Sequence, residues 1–137
     1  MQKKFLWLML LFPLTTTPAL ADIALIVHPD NAAAVTDSDI KALFLGKQRS
    51  FSDGKQAIPL VVVESESSRS EFNTKVLSKT DSQLKAYWSK LTFTGKGTPP
   101  REVSTEEMLQ LVSANPATIG FVDASKVSAA VKVVATY

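Results

Sequence analysis

The stretch "IPLVVVESESSRSEF", Ile58 to Phe72, carries the reading of this chain. An apolar run ends at Glu64, a turn dense in Ser and Glu follows, and Phe72 reopens an apolar pattern. A continuous apolar run bounded by turn chemistry is what a strand buried on both faces looks like. Ser68 stands three residues before Glu71, the capping-box spacing, so the sequence predicts a helix with Ser68 as its N-cap. Strand, polar turn and helix in that order are the building unit of an α/β sheet.

The same helix-start chemistry recurs on either side. "TDSD" at Thr36 precedes "IKALFLG", "TDSQ" at Thr80 precedes "LKAYWSKL", and "STEE" at Ser104 precedes "MLQLV". Ile40, Leu43 and Phe44 recur at helical spacing, as do Leu84, Tyr87, Trp88 and Leu91. Gly46 closes the first of these helices in the usual way. Three more runs read as strands: "DIALIVH" from Asp22, stopped by Pro29; "TIGFV" from Thr118, after the helix stop "SANPA"; and the C-terminal "AAVKVVATY". The Gly/Pro-rich "FTGKGTPPREV", Phe93 to Val103, reads as one long loop. Apolar strands alternating with helices predict a single α/β domain over residues 22–137, its sheet covered on both faces.

The beginning of the chain predicts its location. Lys3 and Lys4 precede the apolar "FLWLMLLFPL", and Ala19-Leu20-Ala21 has the small-x-small form of a signal-peptidase site. The apolar run is shorter than the roughly 20 residues of a membrane span. Residues 1–21 are therefore expected to be a cleaved signal peptide, leaving a periplasmic or secreted domain. Cysteine is absent, which rules out a lipid anchor at the cleavage site and any disulfide framework. Of the 15 Lys and Arg residues, Lys3 and Lys4 leave with the signal, so 13 remain against 13 Asp and Glu. A balanced charge with no basic cluster among aromatics argues against a nucleic-acid partner.

Catalytic chemistry is sparse. His28 is the sole histidine, and Pro29 follows it at a strand end, a position that suits packing more than catalysis. There is no GxSxG elbow, and no His or carboxylate cluster has metal-ligand spacing. "GKGT" at Gly95 lacks the spacing and the preceding strand of a phosphate-binding loop. The chain is read as a non-enzyme without metal or cofactor. The polar turn is the candidate site: the open N–H groups of a helix start bind anions, and Ser67, Ser68, Arg69 and Ser70 add donors. Arg69 opposes the helix dipole there unless an anion is bound. The bland reading is a self-satisfied helix start, with Glu71 closing the capping box and Glu66 or Glu71 pairing with Arg69. Local chemistry leaves both readings open.

Taken together, "IALIVHPDN", then "LFLGK" (Leu43 to Lys47) with "FSDG" (Phe51 to Gly54), then "IPLVVVESESSRSEF", "YWSKLTFTGKGTPPREV" and "NPATIGFV", resemble the periplasmic phosphate-binding proteins of ABC transporters, in particular small single-domain members of that superfamily. The likeness runs over nearly all of residues 23–122. It implies a single-lobe periplasmic-binding-protein-like domain, a mixed sheet covered by about four helices. It also implies reversible binding of phosphate or a related oxyanion at the Ser68 helix start, in the service of an ABC-type uptake system with its own membrane permease. Three positions depart from the family pattern: its anion-binding Arg falls on Glu64, the Gly of its Ser-Gly-Thr turn on Arg69, and its Trp on Phe51. A single lobe covers only one side of a small anion, so a homodimer or another periplasmic protein is the expected second wall. The alternative is an interaction module that kept the fold and lost the ligand.

Overall fold

The computed structural model describes residues 22–137; the expected signal peptide lies outside the described residues. The elements are β1 (Ile23–Val27), α1 (Asp37–Phe44), β2 (Ile58–Val62), α2 (Ser67–Lys75), α3 (Asp81–Phe93), β3 (Arg101–Val103), α4 (Thr105–Ala114), β4 (Thr118–Asp123) and β5 (Lys132–Thr136), with a short 3-10 turn at Ala124–Lys126. The strands form one five-stranded sheet in the order β3-β2-β4-β1-β5. β2 pairs in parallel with both β3 and β4, whereas β1 is antiparallel to β4 and β5. The sheet is therefore mixed, with β1 alone running against the other four.

Two neighbouring residues show that both faces are covered. Successive strand side chains point to opposite faces. At Gly120 an added Cβ would lie 2.2 Å from the Met108 sulfur of α4. Next to it, Phe121 stacks on Phe72 of α2, with ring centroids 3.9 Å apart, and lies 6.1 Å from Phe44 of α1. So α4 covers one face while α1 and α2 cover the other. All five β1 residues are buried, which is why that segment is apolar without alternation.

Three of the predicted helix starts form. Thr36 with Asp39 and Thr80 with Gln83 make complete capping boxes, and Ser104 accepts from the Glu107 N–H. Gly46 follows α1 at φ +73°, the left-handed conformation that a side chain resists. Two expectations are corrected. Helix α2 begins at Ser67 with Glu66 as N-cap and no side-chain cap, so Ser68 is not the cap and the predicted box with Glu71 does not form. The segment read as one loop ends in β3, whose three residues lie at the sheet edge behind Pro99 and Pro100; too short to show periodicity, it is held by its ladder to β2. Among the described residues no helix is long and apolar enough to cross a membrane.

Candidate functional site

The sheet topology marks one end of the molecule. From β2 the chain leaves through α2 and α3 to β3 on one side; from β4 it leaves to β5 on the other. β2 and β4 are adjacent parallel strands with diverging connections, and the crevice at their carboxyl ends is where open α/β sheets place ligands. The turn Val63–Glu66 and the start of α2 form one lip, and Asp123 ends the strand beside it.

The four predicted donors sit in the first turn of α2 but face different ways. Ser67 is exposed. Ser68 is turned inward, 2% exposed, and its hydroxyl has no hydrogen-bond partner. Arg69 folds back over the sheet, its Nη1 donating to the Val62 carbonyl at 2.7 Å and to Glu102 of β3 at 3.1 Å. Ser70 donates to Asp81 at the start of α3. The expected partners of Arg69 do different work: Glu66 is the N-cap, and Glu71 lies 3.8 Å from Lys75. Glu64, on the Arg position of the resembled family, is exposed and in no ion pair among the described residues. The charges of Arg69 and Glu102 offset each other, while the N–H groups of Ser67 and Ser68 stay open at the head of the helix.

The α2 side chains also build a second feature that the sequence did not disclose. A groove of about 750 Å³ runs between α3 and β3, lined by Glu64, Arg69, Asn73, Asp81, Lys85, Trp88, Phe93, Pro99 and Glu102 among others. A smaller recess of about 140 Å³ shares Arg69, Asn73, Trp88 and Glu102 with it and reaches Phe44 and Leu77. Asp81 is held there as an acceptor from Ser70 and from Asn73 at 3.0 Å, and the Ser70 bond, then the Asn73 bond, lowers its pKa below the ordinary carboxylate value. The spacing of Arg69 and Asn73, one helical turn apart, was the available signal; which residues faced them across the groove was not.

His28 takes no part in either feature. Its Nδ1 accepts the Asp30 N–H at 3.0 Å, which fixes the turn after β1. An unprotonated acceptor nitrogen makes the 3.8 Å approach of the Asp30 carboxylate a turn contact and not an ion pair. Among the described residues no group of three or more His, Asp or Glu is placed to hold a metal ion.

No protein-family model and no curated protein matches this sequence. Solved structures do. An ABC-type phosphate transport receptor from Vibrio cholerae superposes with a TM-score of 0.65 at 17% identity, over 83% of this chain and 46% of the receptor. A putative phosphate ABC transporter substrate-binding protein with bound phosphate, from Clostridium perfringens, gives 0.60 at 19% identity, over 83% and 45%. A possible phosphate-binding protein from Planctomyces limnophilus gives 0.57 at 12% identity, over 83% and 41%. The chain thus spans less than half the length of these proteins and has the fold of that part: a mixed sheet with helices on both faces, as the sequence resemblance implied.

Proposed function

We propose that this chain is a periplasmic solute-binding-like module that reversibly binds phosphate or a related oxyanion at the N-terminus of α2, and that it serves an uptake system whose permease is a separate protein. The observation that carries this reading is Ser68: a hydroxyl in the first turn of a helix with no side-chain cap, 2% exposed and without a partner, at the ligand-binding end of the sheet. The N–H groups of Ser67 and Ser68 are the donors, joined by the Ser68 hydroxyl once it turns outward from its buried position. Ser70 and Arg69 join them only by releasing Asp81 and Glu102. Solved receptors of the same fold, one of them with bound phosphate, support the choice of anion. This chain matches less than half of those receptors' length, and the proposal includes a second wall for the anion supplied by a second copy or another periplasmic protein.

A second reading has its own support. Arg69 is neutralised by Glu102, and Glu64 is an unpaired carboxylate close to the same turn. Both oppose anion binding and favour a protein-interaction module that retains the fold. Calorimetric titration of phosphate at low ionic strength separates the two. Saturable one-site heat that disappears in Ser68→Ala supports the first; flat heat at millimolar phosphate, with an unchanged melting temperature, sinks it and leaves the second.

A further inference from the structure

We infer that the groove between α3 and β3 is a docking site for an extended polypeptide segment that carries a Lys or Arg beside an apolar residue. Three observations define the occupant. The first is a complementary pair of polar atoms without partners. Asn73 is 3% exposed, and its Nδ2 is spent on Asp81 while its Oδ1 accepts nothing. One turn away, the buried Arg69 Nε donates to nothing. Both atoms are buried in the free chain, and a peptide unit, which offers one N–H and one C=O, satisfies the two together once the side chains turn toward the groove they line.

The second observation is charge. Arg69 is paired with Glu102, and Asp81 and Lys85 stand one turn apart on α3, so their charges offset. Glu64 remains exposed and unpaired at the β2 end, where a cationic side chain of the occupant is the complement. The third is length and apolarity. The wall from Asp81 to Phe93 is about 18 Å long at the helical rise, enough for about five extended residues. Trp88 lines it, and Phe93, 93% exposed, stands at its far end with no packing role. A large apolar side chain left in water at the end of a groove marks a contact surface.

The test uses the full-length chain and an array of end-blocked pentapeptides, in which Lys or Glu is placed in turn at each position of a Leu/Phe background. Retention of Lys peptides over Glu peptides by at least about tenfold is expected. Methylating the central backbone amide of the best binder should cost a similar factor. Glu64 and Phe93 are exposed, so Glu64→Lys and Phe93→Ser leave the core untouched. The first should invert the charge preference and the second should weaken every binder. The preference should appear in phosphate-free buffer and whether or not phosphate binds, which keeps this result separate from that for the α2 N-terminus. A flat array overturns the proposal, as does a charge preference that survives Glu64→Lys. So does concentration-dependent dimerisation lost in Phe93→Ser, which would give the groove to a second copy of the chain.

Discussion

Arg69 shows what a residue reveals in the sequence and what it withholds. Its oddity was legible, since a cation in a first helical turn opposes the dipole. Its partners were not, because Glu102 lies 33 residues away on a strand too short to be seen. Ser68 behaves likewise: the sequence offers its hydroxyl as a donor, but its burial depends on α2 starting two residues earlier than predicted. An unpartnered buried hydroxyl costs its desolvation and returns nothing. Ser68→Ala should therefore leave unfolding stability unchanged or raise it by up to about 1 kcal/mol, in denaturant titrations without phosphate; a clear loss would mean the hydroxyl has a structural partner. Gly120 is the opposite case. "TIGFV" reads as a strand, yet only packing explains its glycine, because a Cβ there meets Met108 at 2.2 Å. Gly120→Ala should cost about 1–3 kcal/mol through overpacking, whereas Gly54→Ala, with open space around it but φ +84°, should act through backbone strain alone.

At the scale of elements, boundaries with reciprocal side-chain chemistry were legible and those fixed by tertiary contact were not. Thr36 and Thr80 cap where the sequence placed them. At α2 the Glu66 N–H bonds the Val63 carbonyl and the Arg69 N–H bonds Glu66, so the chain coils before Ser68 is reached. What ties α2 to α3 is Asp81, accepting from Ser70 and Asn73. Those bonds favour the ionised form and lower its folded pKa. A lowered carboxylate pKa gives stability that is complete above the unfolded value of about 3.9. That stability is lost as pH falls through the folded value. Asp81 is solvent-exposed, so the contribution is modest, on the order of 1 kcal/mol after screening. Unfolding of the parent chain should therefore lose stability below about pH 4, and Asp81→Asn should flatten that acid limb while lowering stability at pH 7. An unchanged acid limb in the variant would show that the clasp between the helices contributes nothing.

For the molecule as a whole, the balance of burial decides where it breaks. Phe72 stacks on Phe121 and meets Phe44 edge-on at 4.8 Å, so one aromatic cluster joins α1, α2 and the central strand β4. The sequence placed each ring on a helix or a strand, but their meeting follows from a strand order with three non-consecutive neighbour pairs that no local pattern encodes. With no cysteine to staple it, the domain depends on this core. Phe121→Ala removes a fully buried ring from the centre of the cluster and should cost about 3–5 kcal/mol. Domains of this kind have about 5–15 kcal/mol in all, so the variant should melt more than about 10 °C lower or fail to fold. β5 lies at the sheet edge with Val133 42% exposed, so Val133→Ser should stay within about 0.5 kcal/mol of the parent. Comparable losses in the two variants would mean that stability is spread over the sheet and not concentrated where α1, α2 and β4 meet. The start of α2 and the wall of the groove rest on that cluster through Phe72. A conservative Phe72→Leu, costing about 1 kcal/mol through imperfect repacking, should therefore weaken phosphate and peptide binding together, where Ser68→Ala and Phe93→Ser each affect one alone.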